Sequence, residues 1–354
     1  MCRRNRYMHI YEAVKKIYSC LQDEVSRFIF LKRLEYSVSG CGDAITEIVN
    51  KEIERYGSED IVYRLTRWLA GYAGEVVIFG AGFAGRSVCS VLRERGVQVG
   101  CFADNDKKLW GAQRNGAVVI PPEEIEKGSR VVIGVNTSPD GIFRQLLALG
   151  IAEDHIFVPD RAWWIGNCPQ YFDPGILRPC GNEIFVDGGS LDGGDSLKFM
   201  NWCKGKYQAV YAFEPDGENY QKLSRFAECY QKMQVFREGL WSGEKVLRFS
   251  SGQTANSRVS DSGDTVVPVT SLDSRLGGEP VTFIKMDIEG SETEALSGAV
   301  GIIREYKPKL AICVYHKPED ILDIPLKILE LCPDYKLYLR HYSYVDTETV
   351  LYAV

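Results

Sequence analysis

Twice along this chain a short β-branched and aromatic run stops at a glycine-rich turn and a helical pattern follows. The first instance is Val76-Val77-Ile78-Phe79 before Gly80-Ala81-Gly82, and the second is Ile184-Phe185-Val186-Asp187 before Gly188-Gly189. A strand that enters a helix through such a turn belongs to an open, mostly parallel sheet, since parallel strands need crossover helices and ligands gather beyond the strands' carboxyl ends. The fold class is therefore α/β, met twice. A length of 354 residues leaves room for two or three units that each bury a core.

The rest of the chain arranges itself around those two turns. Residues 1–73 are expected as a helical segment: Val14, Ile17, Leu21, Val25 and Phe28 repeat at spacings of three and four, which predicts one helix running to the break at Gly40-Cys41-Gly42. Ile45, Ile48, Val49 and Ile53 repeat the pattern, as does Ile61 to Leu69. These helices carry no polar constellation and are expected to pack or to form a homodimer surface. Residues 74–160 form a small Rossmann-like domain with strands at Val76–Phe79, Val97–Ala103, Val118–Ile120 and Arg130–Val135, the last ending at Asn136-Thr137-Ser138. Residues 161–182, with Trp163, Trp164, Cys168 and several prolines, have no period and read as a linker whose aromatics pack on one of the domains. Residues 183–354 hold the second series, with strands at Ile184–Val186, Ala209–Phe213, Gln234–Glu238, Phe283–Asp287, Leu310–Tyr315, Tyr335–His341 and Thr349–Val354. A Ser- and Gly-rich insertion, Val246 to Thr270, interrupts it.

Charge and cysteines narrow the function classes. A formal net charge of -6 gives no basic surface for phosphate neutralisation, so a nucleic-acid partner is not expected. Eleven cysteines include no C-x-x-C pair, which predicts neither a zinc site nor a disulfide framework and suits a reducing, cytoplasmic compartment. No apolar run has the length of a membrane span or a signal peptide core, so a soluble, unexported protein with no membrane partner is expected.

The second glycine turn carries the chemistry. Val186-Asp187-Gly188-Gly189-Ser190-Leu191-Asp192-Gly193-Gly194-Asp195 presents backbone N–H groups beyond a strand, as a nucleotide site does, but three aspartates would repel a phosphate. They suit a cationic ligand, and S-adenosylmethionine (SAM) carries a sulfonium and an ammonium group. Glu214, in Phe213-Glu214-Pro215-Asp216 at the end of the next strand, is placed to accept hydrogen bonds from ribose hydroxyls. Phe283-Ile284-Lys285-Met286-Asp287-Ile288-Glu289-Gly290 delivers Asp287 and Glu289 to the same edge. Ser291 with Glu294 then predicts a capping box on the following helix.

Those segments, followed by Val314-Tyr315-His316-Lys317-Pro318 and by Leu337-Tyr338-Leu339-Arg340-His341-Tyr342-Ser343, resemble the FkbM family of methyltransferases from about Glu183 to Val354. The resemblance implies a class I (Rossmann-like) methyltransferase fold that closes with an antiparallel C-terminal hairpin. It also implies SAM as cofactor and transfer to a hydroxyl of a sugar, glycan or polyketide-type natural product. Asp187 and Gly189 would line the methionine part of SAM, Glu214 the ribose, and the Arg237–Ser242 segment with Gly239 the adenine edge. Gly188, Asp192, Gly193, Asp216 and Asp287 complete the expected cofactor set. An alcohol acceptor must also lose a proton. His316, Asp287 and Glu289 are the catalytic candidates, with His341 a further base candidate, although Asp192 and Asp195 also suit plain helix capping. No metal-ligand spacing is present, and a metal-independent reaction is expected.

The first turn, Gly80-x-Gly82-x-x-Gly85 with Asp104 at the end of the next strand, meets the context of a dinucleotide fingerprint. It makes a second candidate nucleotide site and opens the alternative of an NAD(P)-linked oxidoreductase or a nucleotide-sugar-binding protein, against glycines that serve only close packing. The domain looks too short for the six-strand unit that grips a whole dinucleotide, and Phe102-Ala103-Asp104-Asn105-Asp106 with Gly116-Ala117-Val118-Val119-Ile120-Pro121 resembles small Rossmann-type domains found ahead of sugar-modifying enzymes, so a ligand of nucleotide or nucleotide-sugar type is expected.

Overall fold

A computed structural model of the protein describes residues 2–56, 61–135, 139–158, 169–249 and 265–354. Four helices open the chain: α1 (Cys2–Cys20), α2 (Glu24–Ser39), α3 (Asp43–Tyr56) and α4 (Ile61–Leu69). The apolar stripe expected as one helix through Phe28 is two. Asp23 has extended backbone and its side chain accepts from the Ser26 N–H, capping α2, while Leu21 forms an isolated parallel bridge with Leu337. Apolar spacing continued through the break because Leu21 is buried on either account. Two compact units result, one of residues 49–168 with 343–345, the other of residues 1–48, 169–342 and 346–354, so that the helical segment divides within α3.

The smaller unit contains β1 (Val76–Phe79), α5 (Phe83–Glu94), β2 (Val99–Ala103), β3 (Gln113–Arg114), β4 (Ala117–Ile120), β5 (Val131–Ile133), α6 (Pro139–Ala148) and β6 (Ile156–Phe157). The strands form one sheet in the order β3-β4-β2-β1-β5-β6, antiparallel only between β3 and β4. Two of the six strands, β3 and β6, are two residues each and carry no hydrophobic alternation to read, and β3 is antiparallel, so the sheet is not the all-parallel six-strand double unit. The core lies under β1 and β5, with Phe79, Val131, Ile133 and Leu146 buried. Asn136-Thr137-Ser138 lie outside the described residues.

The larger unit continues with β7 (Glu183–Gly188), α7 (Gly194–Trp202), β8 (Tyr207–Phe213), α8 (Gly217–Ala227), β9 (Met233–Phe236), β10 (Gly239–Leu240), β11 (Lys245–Phe249) and β12 (Thr265–Thr270). There follow α9 (Leu272–Leu276), β13 (Phe283–Met286), α10 (Glu292–Ser297), α11 (Val300–Tyr306), β14 (Lys309–Cys313), α12 (Asp320–Leu331), β15 (Leu337–His341) and β16 (Thr349–Ala353). Seven strands make one sheet ordered β15-β16-β14-β13-β7-β8-β9. Numbered within this sheet, that is 6-7-5-4-1-2-3, with β16 antiparallel to both neighbours, which is the class I methyltransferase order with its C-terminal hairpin. The expected insertion is partly sheet: β10, β12 and β11 pair separately, so the third strand ends at Phe236 and Thr265–Thr270 is β-structure, while 250–264 lie outside the described residues.

Aromatic rings fill the space behind β7. Phe185 stacks on Phe199 with centroids 4.3 Å apart, and Phe283 meets Phe185 edge-on at 5.2 Å. Tyr171 and Phe172, from the segment read as a linker, are buried in this unit, and Phe172 joins the same cluster; Trp163, Trp164 and Cys168 lie outside the described residues. The described cysteines with assigned states are free. Among the described residues no helix is long and apolar enough to cross a membrane.

The edge strand β15 is covered by α2 rather than left open, which removes a template for aggregation. Arg340 donates to Asp23 at 2.6 Å and to Ser26 Oγ at 3.0 Å, and Ser26 Oγ accepts from the Leu339 N–H. Partial burial opposes ionisation of Asp23, but hydrogen bonds from Arg340 and Ser26 outweigh it and hold the carboxyl down at about 2. A depressed folded-state pKa gives stability that is present above the unfolded value and lost as pH falls through the folded one. Asp23→Asn is therefore expected to cost on the order of 1 kcal/mol at neutral pH, after discounting for its partial exposure. The difference from wild type in urea unfolding should vanish as the pH falls from about 5 to about 2.

Candidate active site

The strand order of the larger sheet reverses between β7 and β13, and in open α/β sheets that crevice is where ligands bind. The loop after β7 is folded by glycine. Gly189 has φ +74°, and a Cβ there would lie inside the Asp287 carbonyl oxygen; at Gly188 a Cβ would press on Leu240 at 2.9 Å. Gly193, at φ +90°, packs against Phe226. Backbone thus approaches backbone where the crevice opens, which only glycine permits.

Beneath the loop sits Lys285, 1% exposed, which sequence reasoning passed over. Its ammonium donates to Asp187 Oδ1 at 3.1 Å and to the carbonyls of Gly188 at 3.2 Å and Gly189 at 2.8 Å, and lies 3.4 Å from Asp195. Burial works against its charge, but Asp187, Asp195 and Asp287 overcome this and raise its pKa. A lysine inside an otherwise apolar strand, Ile284-Lys285-Met286, was the available signal. Asp187 is wholly buried and spends its carboxylate on Lys285 and on Ser196 Oγ at 2.6 Å, so it shapes the loop instead of presenting a free charge to a ligand.

Glu214, at the end of β8, braces the loop from the other side. One oxygen accepts from the Leu191 N–H and the other from the Asp216 N–H, both at 2.9 Å, and burial raises its pKa against those bonds. Asp216 is the N-cap of α8, accepting from the N–H groups of Glu218 and Asn219, and Asp192 accepts from the Gly194 N–H. Those two side chains are engaged in local turns. Gly239 lies in β10, where a Cβ would meet Val269 at 3.2 Å and Pro215 at 3.9 Å, which places it beside the Glu214 turn.

At the ends of β13 and β14 a polar cluster forms around Asp287. Tyr171 donates to Oδ2 at 2.8 Å and Tyr315 to Oδ1 at 3.1 Å, while His316 Nε2 stands 3.3 Å from Oδ1 and 3.6 Å from Glu289. On the other edge of the ring, Nδ1 is 3.1 Å from Glu292 Oε1, which also accepts from the Ile288 N–H at 3.0 Å. These are ion-pair distances; neither ring nitrogen has a well-aligned hydrogen bond. Burial disfavours the imidazolium, but Asp287 and Glu292 hold its pKa up at about 11, so His316 is already protonated near neutrality and is a poor base in that form. Burial likewise raises Asp287, but His316 and Lys285 pull it well below the usual carboxylate range. Burial, helped by the charges of Asp287 and Glu292 and opposed by His316, lifts Glu289 to about 7. Glu348, held by Gln170 at 2.7 Å, is pushed to about 8 by burial and then by Asp287.

The structure thus brings Asp287, Glu289 and His316 together as the sequence predicts, and adds Tyr171, Glu292, Tyr315 and Glu348. His341 is not with them: it is fully buried in β15 and shares a 2.8 Å hydrogen bond with Thr349. The capping box also fails. Ser291 has ψ 5°, not the extended backbone of an N-cap, and makes no cap bond, while Glu294 accepts from Ser242. In the smaller unit Gly80, Gly82, Gly85 and Asp104 meet at one sheet edge. There a Cβ on Gly85 would collide with the Gly80 carbonyl, and Asp104 accepts from the Ala81 N–H at 2.7 Å and the Asp106 N–H at 2.8 Å. Close packing accounts for Gly80 and Gly85 and loop bracing engages Asp104, while a Cβ on Gly82 would meet nothing within 4 Å.

Residues 182–345 match the family model of the methyltransferase FkbM domain, and residues 72–157 match that of the C2185-like N-terminal domain. No curated protein matches the chain. Among solved structures, a methyltransferase FkbM from Methylobacillus flagellatus is 22% identical, with 88% of this chain and 99% of that one covered and a TM-score of 0.48. A fibrillarin from Aeropyrum pernix, solved with natively bound S-adenosyl-L-methionine, is 12% identical over 49% of this chain and 66% of its own, with a TM-score of 0.32. A SAM-dependent methyltransferase from Aquifex aeolicus is 13% identical over 49% and 82%, with a TM-score of 0.30.

The site's architecture predicts a strong penalty for removing its buried cation alone. Lys285→Met should destabilise the protein by about 3–5 kcal/mol, because Asp187 is then buried without a partner. Lys285→Met with Asp187→Asn should recover part of that loss in urea unfolding followed by tryptophan fluorescence.

Proposed function

We propose that the protein, whose residues 182–345 match the methyltransferase FkbM domain, is a SAM-dependent O-methyltransferase whose acceptor is a hydroxyl of a sugar, glycan or natural product. The observation that carries this reading is the glycine loop at the β7/β13 switch point, flanked by Glu214 and faced by the Asp287 cluster. The residues present fit the cofactor. Gly188 and Gly189 leave no side chain between the loop and the strand ends. Glu214 keeps a second lone pair on each oxygen for ribose hydroxyls, and the carboxylates of Asp192, Asp195 and Glu289 favour a cation over a phosphate at this edge.

When bound, SAM would supply an activated methyl group on a sulfonium, an oxygen–carbon bond replacing the sulfur–carbon bond with loss of the acceptor's proton. The chain's contribution is placement and charge. Loop, Glu214 and the adenine-side segment around Gly239 would fix the donor, and holding both reactants in line is worth up to about 7–11 kcal/mol. In this reading the Asp287 cluster, at the same sheet edge as the loop, would take up the proton that the acceptor hydroxyl loses. Within it His316 is a held cation, and the carboxylates face the departing proton.

Titration calorimetry with SAM tests the reading. Binding by wild type, weakened at least tenfold (about 1.4 kcal/mol) in a folded Glu214→Ala variant, is expected. Methyl-labelled SAM should then transfer label to members of a panel of neutral glycosides. No heat with SAM or its demethylated product would remove the proposal.

A further inference from the structure

We propose that Arg33 and Tyr36 of α2 are positioning residues for the acceptor half of the site: they hold the turn before β16 so that Glu348 meets Tyr315 beside Asp287. The inference rests on the methyl-transfer reading. Ser26, Ile29, Phe30 and Arg33 form the buried face of α2, and Arg33 is 3% exposed. Ile29 and Phe30 are what a helix over a sheet edge needs, and a guanidinium is not. Among the described residues its side chain makes one hydrogen bond, from Nη1 to the Asp346 carbonyl at 2.6 Å, and no ion pair, while Nε has no partner. It lies over the Tyr36 ring, 5.4 Å from the centroid. Burial works against its charge and lowers its pKa. A charge taken from water for one carbonyl is unfavourable by itself, so packing alone does not explain Arg33. What the residue secures is the turn. The Tyr36 hydroxyl donates to Asp346 Oδ2 at 2.5 Å, so α2 grips both the backbone and the side chain of Asp346.

Just beyond Asp346, Glu348 sits at φ +66°, a left-handed conformation that a non-glycine residue keeps only where its surroundings fix it. Its carbonyl accepts from the Tyr342 N–H at 3.1 Å, and the Val314 N–H donates to the Thr349 carbonyl at 3.0 Å, which ties the end of the turn to the segment that carries Tyr315. Gln170 donates to Glu348 Oε2 at 2.7 Å, and the Tyr315 hydroxyl is 3.4 Å from Oε1. That hydroxyl has one proton and two acceptors, since it is also 3.1 Å from Asp287 Oδ1. The position of Glu348 therefore decides whether the proton is shared or goes to Asp287 alone. Arg33, Tyr36, Asp346 and Glu348 all lie outside the matched range 182–345. The glycine loop follows β7, which β13 and β14 separate from β16, so the contact from α2 bears on the acceptor half and not on the cofactor loop.

Hydrogen exchange of the full-length protein, read by mass spectrometry, tests the grip without an acceptor. Peptides over residues 342–350 are expected to exchange at least tenfold faster in Arg33→Gln and in Tyr36→Phe, while peptides over residues 185–195 keep the wild-type rate. Tyr36→Phe removes only a half-buried hydroxyl, so it keeps the test alive should Arg33→Gln misfold. Unchanged exchange over 342–350 in Tyr36→Phe overturns the proposal. Positioning is then read with methyl-labelled SAM and the panel of neutral glycosides. In both variants kcat is expected to fall at least tenfold while the Kd for SAM stays within about twofold, and Arg33→Gln with Glu348→Gln should be no slower than Glu348→Gln alone. A merely structural role would weaken SAM binding in step and add to the Glu348→Gln loss, and that result counts against the proposal. Faster exchange with unchanged kcat sinks the positioning role alone, whereas absence of SAM binding by the wild type removes the methyl-transfer reading and the role built on it.

Discussion

A buried ammonium holds the carboxyl edge of the larger sheet together. Lys285 lies in β13, yet three of its contacts are on the end of β7 and the loop beyond: Asp187, the Gly188 carbonyl and the Gly189 carbonyl. It ties the two strands at the point where sheet order reverses. Two charges taken from water cost several kcal/mol each, repaid only when geometry is good and the remaining donors are satisfied. Here the ammonium's three protons meet three oxygens, and Asp187 is completed by Ser196. The arrangement is more exacting than an apolar filling would be, and it ties the first residues of the loop to β13.

The same sheet edge concentrates negative charge. Asp195, Glu214, Asp287, Glu289, Glu292 and Glu348 gather around it, balanced from below by Lys285 and His316. Burial and mutual repulsion separate these groups in proton affinity, leaving Asp287 charged while Glu289 and Glu348 titrate near neutrality. The proposed transfer of a methyl group from SAM to a hydroxyl would use both kinds, one to steady a sulfonium and one to take a proton. The two units also share a structural device: Glu214 ties down the Leu191 N–H, and Asp104 ties down the Ala81 N–H, each an acid at the end of the second strand bracing the glycine loop after the first. The likeness follows from topology, since parallel neighbouring strands place those two positions side by side.

The fold was legible wherever periodicity was strong. The strands of both sheets that run four or more apolar residues, the two glycine turns, and Asp287, Glu289 and His316 as one group all follow from residue type and order. Elements that carry no period escaped: two-residue β3 and β6, and the β11–β12 pair hidden in a Ser- and Gly-rich stretch. Side chains whose partners are far along the chain escaped too. Tyr171 reaches Asp287 across 116 residues, and Asp23 reaches Arg340 across 317. Local patterns misled at Ser291 and Glu294, which have capping-box spacing, but Ser291 makes no side-chain cap bond and Glu294 accepts from Ser242.

The sequence by itself determined the α/β class, the two nucleotide-type turns and the acids at strand ends, because those depend on backbone sterics and on the carboxyl-edge rule, both local in the chain. It also carried the family resemblance. Tertiary structure alone decided what each charge does. Asp187 became a buried brace, His316 a held cation between two carboxylates, and Asp216 a helix cap, because ionisation and hydrogen bonding depend on burial and on partners within a few ångströms. Those partners are brought together by strand order, which residue spacing does not contain.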